Sequence, residues 1–150
     1  MRLRRVSMTE GRVERRYEST EHTADIGMVA FGATLKEAFE NAAYGMFDMM
    51  VAVEETAESR QTEVRVEAED VEGLLVSFLS ELLFVFETEG IVLKRFEIVD
   101  WDERTRLVAR AWGDLLEEQE RRAQIKAVTY HGLGVQETTE GYEVRVVFDV

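Results

Sequence analysis

The sequence predicts an α+β domain: a mainly antiparallel or mixed sheet of about six strands, with two amphipathic helices packed on one face. Three observations predict it. Apolar residues recur at helical spacing in two stretches, 33–50 and 69–87. They alternate with a period of two on either side of those stretches, and four strand-like segments follow one another at the C-terminal end. Polar or glycine-bearing turns such as "DERT" and "TTEG" separate these last segments.

Taken in order, the first 16 residues carry Arg2, Arg4, Arg5, Arg12, Arg15 and Arg16 with few apolar residues to anchor them. They are expected to form a flexible arginine-rich arm ahead of a single domain over 17–150. "RRYEST" and "IGMVAFG" read as two short strands, the second with Ile26, Met28 and Ala30 on one side. In "ATLKEAFENAAYGMFDMM", Thr34 and Glu37 have capping-box spacing, and Leu35, Ala38, Phe39, Ala42, Met46 and Met50 form an apolar stripe. "QTEVRVEA" alternates as a strand. "EDVEGLLVSFLSELLFVFE" opens at an acidic cap, and Val71, Leu74, Leu75, Phe78, Leu79, Leu82 and Phe86 form its buried face. "IVLKRFEIVD", "TRLVARAWG", "IKAVTYHGLGVQE" and "YEVRVVFDV" complete the sheet, the last with Tyr142, Val144, Val146 and Phe148 on one side.

Composition excludes several functions. The chain of 150 residues has no cysteine and two histidines, which removes disulfides and thiolate metal sites and leaves too few nitrogens for an all-protein zinc site. Any metal would be held by oxygen. A net charge of −13 opposes stable, direct binding to a phosphate backbone and favours cations or basic proteins as partners. No apolar run reaches the roughly 18–20 residues of a membrane span, and the arginine-bearing start lacks an apolar stretch behind it. A cytoplasmic location is expected.

Familiar catalytic motifs are missing. "HGLGV" is only G-x-G within a strand pattern, with no phosphate-loop lysine motif. Ser77 and Ser80 lie inside the second helix, so neither sits on a nucleophile elbow. His131 reads as a partly buried strand histidine, and Met46, Met49 and Met50 as core.

Asp25 stands between two strand segments, where an aspartate can close an Asx turn. The other end of the sequence adds a second reading. Asp149 and Val150 follow directly on a well-patterned strand, which would present the Asp149 side chain and the α-carboxylate of Val150 together. Asp149 alternates away from Phe148 and should face away from the core. If the strand containing Ile26 pairs beside the last one, Asp25 joins them. Three carboxylates so close would repel one another unless a cation neutralised them. Calcium takes about six to eight oxygens and magnesium about six, so other ligands would complete the shell.

The motifs "YESTEHTADIG", "TLKEAFENAAYGMFDMM", "EDVEGLLVSFLSELLFVFETEG", "IKAVTYHGL" and the terminal "FDV" together resemble the archease family, from about Tyr17 to Val150. The resemblance implies a non-enzymatic protein cofactor of an RtcB-type RNA ligase used in tRNA splicing. Such a cofactor promotes guanylylation of the ligase, sustains multiple turnover and broadens its use of nucleotide triphosphates. It also implies that Asp25, Asp149 and the carboxylate of Val150 bind a divalent ion, calcium in the family, with magnesium or manganese as alternatives. His22 and Lys126 lie inside matched motifs without a defined role, and the arginine-bearing start departs from family members that begin near the first strand. Two other classes remain as alternatives: a free-standing metal-dependent hydrolase using Asp25 or Asp149 as base, and an RNA chaperone using the arginine arm.

Overall fold

The structure is a computed structural model, and it describes residues 3–5, 16–21 and 25–150. Among the described residues, eight strands, two α-helices and one 3-10 turn follow the order β1 (Leu3–Arg5), β2 (Tyr17–Glu21), β3 (Asp25–Gly32), α1 (Leu35–Met50), the 3-10 turn Val53–Glu55, β4 (Arg60–Glu67), α2 (Val71–Glu89), β5 (Ile91–Trp101), β6 (Arg106–Leu115), β7 (Ala127–Thr138) and β8 (Gly141–Asp149). The α+β class and the antiparallel pairing are as expected. The strands, however, divide between two sheets: a five-stranded sheet in the order β1-β2-β3-β8-β7 and a three-stranded one in the order β4-β6-β5.

The physical reason lies in the helices. α1 touches β2, β3 and β8 of the large sheet and β5 of the small one, while α2 touches β7 of the large sheet and β4, β5 and β6 of the small one. They therefore form a central layer covered on both sides, instead of lying on one face of a single sheet. Burial agrees: the predicted stripe of α1 is joined by Ala43, Phe47 and Met49, and that of α2 by Val76, Leu83 and Val85. A helix apolar around most of its circumference needs two covers. Phe39, Phe78 and Trp101 pack ring against ring in this layer, as do Phe86, Phe47 and Phe96.

Local sequence sets the ends of the elements. Thr34 accepts the Glu37 N–H at 3.1 Å, and the Glu37 carboxylate reaches back to the Ala33 N–H at 2.9 Å, a capping box shifted by one residue on its return arm. Asp70 caps α2 through the Gly73 N–H at 2.7 Å, and Gly90 ends it with a left-handed φ of 68°. At the β5–β6 turn, the Asp102 carboxylate accepts the N–H groups of Arg104, Thr105 and Arg106 and the Thr105 hydroxyl. These donors hold its pKa far below the carboxylate range.

Of the expected arginine-rich arm, Leu3–Arg5 form a short strand on β2, and Arg16 places its guanidinium 4.1 Å from the centre of the Tyr44 ring. Residues 1–2 and 6–15 lie outside the described residues.

Candidate metal centre

β3 and β8 run antiparallel through eight register pairs, from Gly32 opposite Tyr142 to Asp25 opposite Asp149. Cross-strand partners project to the same side of a sheet. Met28 with Val146, Ala30 with Val144, and Phe148 opposite Ile26 all point toward the helices. By alternation, Asp25 and Asp149 point away from them. Asp149 is exposed and Asp25 half-buried. β7 closes the other flank, with Ala127 opposite Asp149, and the Lys126 N–H donates to the Asp149 carbonyl at 2.7 Å.

Two like charges are thus held directly opposite each other, with Cβ atoms of such pairs about 4.5–5.5 Å apart. Among the described residues, neither carboxylate has an ion-pair or hydrogen-bond partner. Val150 follows at once, its side chain packed against the core, so the segment that carries Asp149 is anchored on both sides of that residue. The structure brings together the two aspartates singled out from sequence and sets Val150 beside them. Among the described residues, no group of three histidine, aspartate or glutamate side chains gathers at one point. Further oxygen donors at this pair would have to come from the main chain, water or a partner.

The remaining residues of interest are dispersed. His22 lies outside the described residues. Lys126 is exposed immediately before β7. His131 is exposed, contrary to the partly buried strand position expected of it, because β7 bulges between Thr129 and Gly134 and carries the histidine out of the ladder.

One polar cluster has no counterpart in the sequence reading. The Tyr17 hydroxyl donates to Asp48 Oδ2 at 2.7 Å, and Arg122 Nη1 lies 3.3 Å from Asp48 Oδ1 while donating to the Asp48 carbonyl at 2.9 Å. Tyr17 and Asp48 are buried in the core. Burial and the adjacent carboxylate push the tyrosine pKa upward. The cluster ties β2, α1 and the 116–126 segment together, and that segment leads into Lys126 and β7. Its only signal in sequence is an aspartate within the apolar run "MFDMM".

The model of the Archease protein family matches residues 17–150. Protein archease of Thermococcus gammatolerans is 44% identical over 131 residues, spanning 85% of this chain and 92% of that protein. Protein archease of Methanosarcina mazei is 38% identical over 141 residues, spanning 91% and 97%. The solution structure of Methanobacterium thermoautotrophicum protein 1598 superposes with a TM-score of 0.77 at 35% identity, covering 90% of this chain and 99% of that one. The crystal structure of a Thermotoga maritima archease, described as a possible chaperone, shares the fold with a TM-score of 0.60 at 21% identity, over 87% and 94% of the two chains. The matched region opens at the first residue of β2 and takes in both opposed aspartates and Val150; the chain belongs to the archease protein family.

Proposed function

We propose that this archease is a non-enzymatic activator of an RtcB-type RNA ligase in the cytoplasm, promoting guanylylation and multiple turnover and broadening nucleotide use through a divalent ion held by carboxylates. The observation that carries the reading is the register pairing of Asp25 with Asp149. The donor set is oxygen only and lacks a counter-charge among the described residues, which fits a hard cation such as calcium, magnesium or manganese. Asp25 and Asp149 would hold the ion, with the α-carboxylate of Val150 as a third donor. When bound, such an ion supplies positive charge that can meet phosphate oxygens. The chain's own contribution is positional: two strands fix both aspartates, and the Val150 side chain pins the adjoining segment to the core. A net charge of −13 suits encounter with a basic, RNA-handling protein, since complementary charge accelerates association.

The test is a guanylylation and turnover time course of the cognate ligase with the parent protein, Asp25→Ala and Asp149→Ala. Both substitutions are expected to abolish stimulation while the melting temperature stays near that of the parent. Full stimulation by both variants would refute the mechanism. Calcium calorimetry adds a direct readout: either substitution, or an extension past Val150 that turns its carboxylate into an amide, should weaken binding.

A further inference from the structure

β7 leaves its partner strand in one place. Thr129 pairs with Val147 and Gly134 with Arg145, so Tyr130, His131, Gly132 and Leu133 stand against Val146 alone. The extra residues are held firmly. Thr129 Oγ1 donates to the Val147 carbonyl at 3.0 Å, the His131 N–H donates to Thr129 Oγ1 at 3.3 Å, and Leu133 returns to pack on the core. Gly132 adopts a left-handed φ of 68°, and a Cβ there would meet Val147 Cγ2 at 3.1 Å. Val147 lies two residues before Asp149 on the outward side of β8, so the bulge rises over the same face as the aspartate pair.

Tyr130 is the first residue of this bulge, 68% exposed, with His131 exposed beside it. The bulge gives up ladder hydrogen bonds and places an aromatic ring in water. Bulges of this kind serve to re-aim a side chain. A tyrosine on a fixed backbone offers a large contact area with few rotors to freeze, the usual makeup of an interface anchor.

We infer that Tyr130, supported by His131, is the anchor by which the aspartate-bearing face docks on a basic protein partner, its ring entering a pocket of that partner next to where Asp25 and Asp149 arrive. Naming that partner as the ligase rests on the function proposed above. A protein is favoured over a nucleic acid because two unpaired carboxylates on the same face, in a chain of net charge −13, repel phosphates.

The experiment measures binding of the full-length protein to the intact ligase by calorimetry, for the parent, Tyr130→Ala, Tyr130→Phe and Phe84→Ala. Phe84 is a 57% exposed aromatic residue on α2 and serves as the control. Tyr130→Ala should weaken binding on the order of 30-fold, the loss typical of an interface anchor. Tyr130→Phe should retain most of the affinity, Phe84→Ala should match the parent, and calcium binding should be unchanged in all. Parent-like ligase binding by Tyr130→Ala, or an equal loss in Phe84→Ala, overturns the inference. So does loss of tRNA retention in Tyr130→Ala with ligase binding intact, which would make the bulge a nucleic-acid contact. If Asp25→Ala abolishes stimulation while Tyr130→Ala binds normally, only the docking inference fails; if the parent does not bind the ligase, both fall.

Discussion

Asp25 and Asp149 are direct cross-strand partners, two carboxylates held opposite each other where β3 begins and β8 ends. Like charges in that position destabilise a sheet, and exposed charge pairs interact on a scale of roughly 0–1 kcal/mol. In chelator and at low salt, Asp25→Asn or Asp149→Asn should therefore leave the protein as stable as the parent or up to about 1 kcal/mol more stable, and added salt should shrink the gap. Thermal melts measure this directly. A loss of stability in both variants would mean that the pair is a structural feature.

The Tyr17–Asp48–Arg122 cluster predicts the opposite sign. Tyr17→Phe removes one charge-assisted hydrogen bond to a buried carboxylate, a cost of about 1.5–3 kcal/mol. Asp48→Ala also strands the tyrosine hydroxyl and a guanidinium, and should cost about 3–5 kcal/mol, toward the lower end because Arg122 is partly exposed. Urea unfolding should rank Asp48→Ala below Tyr17→Phe. The reverse order would assign the cluster little weight in the fold.

Glu40 carries a pH dependence. Its carboxylate caps the Ile98 N–H at 2.8 Å, and burial raises its pKa, opposed by that hydrogen bond and by Lys36. Because the folded protein holds this proton more readily than the unfolded chain, the contribution is full below the ordinary glutamate pKa and is lost as pH rises through the folded value. Glu40→Gln keeps an acceptor for Ile98 and removes the titration. The parent should lose stability relative to this variant as pH climbs from below the ordinary glutamate pKa of about 4.3 to well above it, as read from unfolding midpoints. A constant difference across that range would exclude Glu40 as the titrating group.

Gly45 marks a close approach of α1 to the large sheet. A Cβ there would lie 2.7 Å from Tyr17 Cγ and 2.8 Å from Met28 Sδ. Gly45→Ala should thus destabilise by about 1–3 kcal/mol through overpacking, despite alanine's higher helix propensity. Denaturant midpoints check it, and a stabilised variant would show that the two side chains can yield.

Local pattern sets both helices, the strands β2 to β8 and one side of the site. Capping at Thr34 and at the acidic start of α2 and the alternation through Val144, Val146 and Phe148 are local effects, readable from a few neighbouring residues. Alternation also sufficed to turn Asp149 away from the core. Long-range packing places β3 beside β8, which brings Asp25 to Asp149, and parts the strands into two sheets around the helices. Periodicity states which face of a segment is apolar and is silent on which remote segment covers it. The buried Asp48 and the β7 bulge escaped the sequence reading for the same reason: Asp48 is tolerated because Tyr17 and Arg122 converge on it, and the bulge is measured against a partner strand. Such features depend on contacts between distant parts of the chain, and they exist only once the chain has packed.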